Sequence, residues 1–228
     1  MMTMPPPSPP SPPSSSSLRS AAVRPSLPRP PRRRARGLAA VEFALLLPVL
    51  IVLLLALIDI ARALQANMIL INLSREGANL ASRGRLQLSE NNQAIIGQVA
   101  ASAPPLDMNQ RGMIYVTRLM GSGAKTLVLE QYRWDDSANN RGFRVSGYAP
   151  VSKIWSCSNW ASGTAGTCSV PTGANAPSVA LLAGKLSEGE VIYAVEVFYK
   201  FNMGFSTFSF GAFATPSLGP DFYSMTVF

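Results

Sequence analysis

Between Leu38 and Ile58 the chain runs apolar for 21 residues with one charge, Glu42. At about 1.5 Å per residue a helix of this length rises roughly 30 Å, the thickness of a bilayer's hydrocarbon core. Apolar residues on every face distinguish it from the one-sided stripe of a soluble surface helix. The pattern predicts a transmembrane helix over residues 38–60. Pro48 lies inside it and, lacking an N–H, opens one backbone bond or kinks the helix. Past the span the pattern turns amphipathic. Ala66, Ile69, Leu70, Leu73, Gly77, Leu80 and Ala81 recur at i, i+3/4, i+7, while Gln65, Asn67, Asn72, Arg75, Glu76 and Asn79 take the other face. One helix from Leu38 to about Ser82 is therefore expected, its extension occupying residues 61–84 with Gly84 as the stop. Two partners are open for the stripe: the protein's own head, or identical helices.

After residue 85 the pattern changes. A short helix is expected over Glu90–Ser102, ended by Pro104-Pro105. Period-two alternation then predicts strands over Met113–Met120 and Thr126–Tyr132, joined by Gly121-Ser122-Gly123 as a hairpin. Val191–Lys200 alternates with Val191, Tyr193, Val195, Val197 and Tyr199 on one face. Phe205–Phe213 and Phe222–Phe228 are further strand candidates, and Trp134–Ser178, rich in Gly, Ser, Asn and Ala, reads as mostly loop. The expected fold class is α+β: a long N-terminal transmembrane helix extending into an antiparallel β-sheet head domain over residues 85–228, preceded by a disordered leader.

Composition changes the picture mainly at the N-terminus. The chain of 228 residues carries 20 Lys+Arg and 12 Asp+Glu. Residues 1–36 hold seven Arg and no acid, leaving 13 basic against 12 acidic groups elsewhere, a net +1. The high charge thus belongs to a tail and argues against a nucleic-acid partner. Residues 1–37, with PPPSPPSPPSSSS and RPSLPRPP, have too little to bury to offset the entropy of ordering. Arg29, Arg32, Arg33, Arg34 and Arg36 precede the span and only Arg62 closely follows it. The positive-inside bias places the leader in the cytoplasm and the head across the membrane. A cleaved secretory signal is the competing reading, with Ala61-Arg62-Ala63 as its cut. Against it, a signal's apolar region is normally about 7–15 residues, and Asp59 and Arg62 flank the site.

Candidate chemistry is sparse. With no His and two Cys, His-dependent catalysis, His-ligated metals and four-thiolate sites are excluded. No cofactor or metal is called for, and no paired-carboxylate site is evident. Gly121 to Thr126 lacks the glycines of a phosphate-binding loop. Asp135-Asp136 reads as a solvated turn. Trp155, Trp160 and Tyr148 read as either a sticky surface or anchors for a loose loop. Cys157 and Cys168, ten residues between them, suit a structural disulfide in an oxidising compartment.

Glu42 is the charge that needs explaining, because an ionised carboxylate in hydrocarbon costs several kcal/mol without a partner. It sits at headgroup depth, pairs with Arg36, or neutralises another cation at its own depth. A cut after Gly37 would create such a cation, the α-amino group of Leu38, about 6 Å along the axis. In stacked identical helices, Glu42 of one subunit would meet the Leu38 amine of the next. A misregistered helix would leave both charges unpaired.

Arg-Gly followed by Leu38-Ala39-Ala40-Val41-Glu42-Phe43 resembles a type IV prepilin processing site. The longer string GLAAVEFALLLPVLIVLLLALIDIARAL, then NLSREGANLAS, resembles the TadE family, pilin-like or minor-pilin proteins of tight-adherence (Flp) pilus assembly. The likeness covers residues 35–82. It implies Gly37 as the residue before the cut, Leu38 as the new N-terminus, and Glu42 and Phe43 as recognition and register positions, with Pro48 part of the matching helix. It implies as partners a prepilin peptidase, the bacterial inner membrane, other pilin-like subunits and inner-membrane pilus assembly proteins. The head would lie in the periplasm or on an extracellular pilus. The long Pro/Ser/Arg leader departs from the shorter leaders common in pilins. Two function classes follow: a pilin-like subunit or assembly factor, or an unprocessed bitopic membrane protein whose head binds a partner. Nothing argues for an enzyme.

Overall fold

The computed structural model describes residues 35–83, 88–161, 166–204 and 219–228. The leader over residues 1–34, the Gly84 stop and the Phe205–Phe213 strand candidate lie outside the described residues. The chain divides into two units, Met1–Leu46 and Leu47–Phe228, with the boundary inside one helix.

That helix, α1, spans Ala35–Arg83 and includes Pro48. In the first unit its described turns carry exposed apolar side chains, among them Val41, Phe43, Leu45 and Leu46. In the second unit the pattern becomes one-sided, as the amphipathic spacing predicts. Ala66, Leu70, Leu73, Ala78 and Ala81 are buried against the sheet, with Ile69 and Leu80 packed at the margins. A Cβ on Gly77 would lie 3.0 Å from Val195 Cγ1, so glycine lets helix and sheet approach here. Glycine in a helix interior costs about 1 kcal/mol against alanine. Full burial of Leu70 and Leu73 is worth about 2 kcal/mol each, so close packing wins. The stripe's partner is therefore the protein's own head.

Three further elements precede the turn between the first two long strands, and β2 follows it. α2 (Leu88–Ala101) matches the expected short helix, with a non-helical Asn91 near its start. α3 (Met108–Arg111) is capped by Asp107, whose carboxylate accepts from Gln110 N at 3.2 Å. β1 (Gly112–Ser122) and β2 (Lys125–Arg133) form the hairpin. Ser122 pairs with Lys125, so the loop is Gly123-Ala124 and not Gly121-Ser122-Gly123. Gly123 takes φ +59°, the left-handed conformation a tight hairpin requires. Gly121 belongs to β1, where a Cβ would strike the Ser187 carbonyl. A bulge at Arg118/Leu119 leaves Leu129 of β2 unmatched.

The expected loop over 134–178 contains more structure than its composition suggested. It holds β3 (Asp135–Asp136), β4 (Arg141–Gly142), α4 (Phe143–Ser146) and the start of β5 (Ser178–Val179). β6 (Val191–Lys200) and β7 (Asp221–Val227) complete an antiparallel sheet ordered β5-β2-β1-β6-β7. Tyr193, Val195, Val197 and Tyr199 of β6 join the core as the alternation predicts. The second face of the sheet is not solvated: Leu119, Val128, Ile192 and Ala194 form another buried cluster, packed by Ile154, Trp155 and Val170 from the loop. The result is an α+β fold with α1 on one face of the sheet and an irregular layer on the other.

Candidate functional site: the exposed apolar helix and its N-terminal residues

Gly37, Leu38, Glu42, Phe43 and Pro48 all lie on α1. The helix begins before Gly37, so the Gly37–Leu38 bond sits in helical backbone. Gly37 is exposed and a Cβ there would meet nothing within 4 Å. Packing among the described residues therefore does not explain the glycine. Glu42 follows Leu38 by four residues, one helical turn, and so shares its face. Glu42 is exposed and has no ion-pair partner among the described residues. Phe43 is 60 % exposed. Pro48 leaves the Ala44 carbonyl without its helical donor.

From Val41 to Ile58 the large apolar side chains of α1 remain exposed apart from half-buried Leu55. Mean hydropathy reaches 3.0 within this helix, the one helix among the described residues long and apolar enough to cross a membrane. A bare apolar surface of this extent needs cover by lipid or by protein.

At the run's end Asp59 is buried, a role its place at a signal cut did not suggest. Its Oδ1 accepts from Arg62 Nη1 at 3.4 Å and from the Gly204 amide at 3.0 Å. Farther along, Ser74 Oγ donates to the Ile71 carbonyl at 2.9 Å. Having spent its single proton, it accepts from the hydroxyls of Ser224 at 2.9 Å and Thr226 at 2.8 Å on β7. Polar clamps thus fix the helix to the head before the apolar stripe, at Asp59, and within it, at Ser74.

The irregular layer is held by buried polar groups that no local pattern signalled. Glu196 is fully buried and accepts from the Lys153 amide at 2.8 Å, the Tyr223 hydroxyl at 3.0 Å and the Ser152 hydroxyl. Gln131 Nε2 donates to Trp155 O at 2.8 Å and Ser152 Oγ at 3.1 Å. Asp135, expected in a solvated turn, is instead buried, accepting from Arg144 Nε at 2.8 Å with Arg133 at 3.7 Å. The Arg133 guanidinium lies over Phe143 at 4.1 Å and over Trp160 at 4.3 Å, so Trp160 anchors the loop. Cys157 and Cys168 sit at disulfide-bonding distance, their Cα atoms 6.2 Å apart. Cys168 N also donates to Gln131 O at 2.9 Å, tying the bridge to β2. Among the described residues no cluster of acids or thiols could hold a metal.

Four buried or half-buried tyrosines of the head are expected to make it sensitive to alkali. Burial pushes the Tyr115 hydroxyl from its ordinary 10 up to about 12, moderated by Arg133 and reinforced by Glu196. Burial likewise raises Tyr132, Tyr148 and Tyr223, each reinforced by a carboxylate: Glu130, Asp221 and Glu196. Each group holds its proton more tightly folded than unfolded, so its contribution is complete below pH 10 and is lost as pH rises through the folded value. Stability is expected to be insensitive to these groups from pH 7 to 9. Above pH 10 it should fall, with buried Tyr115 alone contributing a slope of up to about 1.4 kcal/mol per pH unit. Chemical denaturation at pH 8, 10 and 11.5 measures it; an unchanged midpoint at pH 11.5 contradicts the assignment.

A family model described as TadE-like protein matches residues 37–79, from the glycine before Leu38 through most of the amphipathic stripe. The match points to a role in the tight-adherence pilus. No curated protein and no solved structure matches the chain.

Proposed function

We propose that this protein is a pilin-like subunit or assembly factor of a tight-adherence pilus, structural in role. A prepilin peptidase cuts it after Gly37, and α1 then packs within the membrane or among other pilin-like subunits. The leader is cytoplasmic, the helix lies in a bacterial inner membrane, and the head is periplasmic, where an oxidising milieu closes the Cys157–Cys168 bridge. The observation that carries this reading is the TadE-like segment on a bare apolar helix, with Gly37, Leu38 and Glu42 at processing spacing. The open surroundings of Gly37 among the described residues support it, since they leave room for a peptidase.

The test is the N-terminal residue of the membrane-extracted protein, by intact mass and peptide mapping. Leu38 is expected, and Gly37→Leu should leave nearly all the chain unprocessed without altering the melting of the head. A start at Met1 or Met2 would make it a bitopic membrane protein whose head binds a partner. A start at Leu64 would make α1's first turns a signal peptide.

A further inference from the structure

Two adjoining cavities open where α1, α3 and the end of β6 meet. The larger, about 390 Å³, falls within the size range of small-molecule sites and is lined by Arg111, Lys200, Gln110 and Asn202. The smaller, about 130 Å³, shares Arg111 and Asn202 and adds Arg62. Both share Phe201 as an apolar wall. Among the described residues neither Arg111 nor Lys200 forms an ion pair. The carboxylates at hand are engaged: Asp59 with Arg62, and Asp221, opposite Lys200 across the β6–β7 ladder, with the Tyr148 hydroxyl at 3.3 Å. Three cations against two carboxylates leave one positive charge, the complement of a phosphodiester.

Arg62 lies four residues beyond Ile58, about 6 Å along the helix axis. The headgroup layer on each side of a bilayer is also roughly 6 Å deep. If the apolar run lies in lipid, the cavity mouth stands among headgroups. We propose that Arg111 and Lys200, flanked by Arg62, bind the phosphodiester headgroup of an anionic phospholipid such as phosphatidylglycerol. The site orients the head against the membrane surface. This rests on the membrane reading of α1 and is independent of processing at Gly37.

The full chain in detergent is titrated with phosphatidylglycerol and with phosphatidylcholine of the same acyl chains, and bound lipid is counted by native mass spectrometry. A basic side chain at an anionic surface strengthens binding about five-fold, so the one net positive charge of the site predicts a preference of roughly five-fold for phosphatidylglycerol. The double variant Arg111→Gln, Lys200→Gln should erase the preference while melting as the parent does. The control Arg75→Gln, Lys185→Gln, remote from the cavities, should retain it. Equal binding of the two lipids, or equal loss in the control, overturns the proposal. Displacement of the lipid by millimolar inorganic phosphate overturns the lipid source and leaves a simple anion site. Carbonate extraction of membranes tests the underlying reading separately. A chain released by carbonate removes the membrane and the lipid proposal together; a chain that stays but shows no preference removes only the site.

Discussion

Glu196→Ala is expected to lower the melting temperature of the head by about 10 °C. Leaving a buried donor without its acceptor costs about 1–3 kcal/mol, and three donors lose theirs here, so a loss of about 3–5 kcal/mol is expected. For a chain of this size each kcal/mol corresponds to roughly 2–4 °C. Glu196 is wholly enclosed, and its loss would leave the Ser152 and Tyr223 hydroxyls and the Lys153 amide without an acceptor, beside a cavity. Glu196→Gln keeps the shape and one acceptor oxygen and should fall about half as far. Glu130, paired with Arg118 at 3.0 Å where both side chains are about one-third exposed, provides the contrast. Its replacement by Ala should cost no more than about 1 kcal/mol. Circular-dichroism melts of the three variants decide the matter; a Glu196→Ala midpoint within 2 °C of the parent (an allowance set by the roughly 1 kcal/mol scale of surface effects) would show that the network is not what holds the loop layer.

Glu42→Gln and Glu42→Val should each reduce pili at least about a hundred-fold while membrane insertion stays normal. The scale follows from leaving a Leu38 ammonium unpaired in a low-dielectric helix contact, about 3–5 kcal/mol. Insertion should not suffer, because a carboxylate within a span is itself unfavourable by several kcal/mol. Counting filaments by electron microscopy alongside carbonate extraction separates the two effects. Normal pili in Glu42→Val would defeat the pairing of Glu42 with the amine of a neighbouring subunit. The physical setting is favourable, since Glu42 is exposed and unpaired among the described residues while one turn from Leu38.

Much of this architecture was legible in the sequence because it rests on periodicity. Leu70, Leu73 and Ala81 repeat at helical spacing, and they are the residues α1 buries. Tyr193, Val195 and Val197 alternate, and they face the core. The hairpin was legible but two residues out of place, because Gly121 and Gly123 look alike in sequence and serve different ends: one makes room for Ser187, the other turns the chain. The second face of the sheet was not legible. Ile154, Trp155, Trp160 and Val170 follow no period, so the segment that covers it read as loop. Nor does any local signal mark Glu196 as enclosed, since a charged residue in an alternating strand ordinarily faces water. The burial of Asp59 was not legible either, because its partner Gly204 lies 145 residues away.

The close seat of α1 on the sheet has a mechanical side. From Leu47 onward helix and head form one unit, joined by the Ala66–Ala81 stripe, the Ser74 clamp on β7 and the contact of Gly77 with Val195. Tension applied along this stretch of α1 therefore enters the domain along the whole stripe, through β6, a strand paired on both sides, and through β7. No slack linker lies between rod and domain to act as a spring. A pull on this stretch of helix reaches the head as a shear shared by many small contacts, which yield together or not at all.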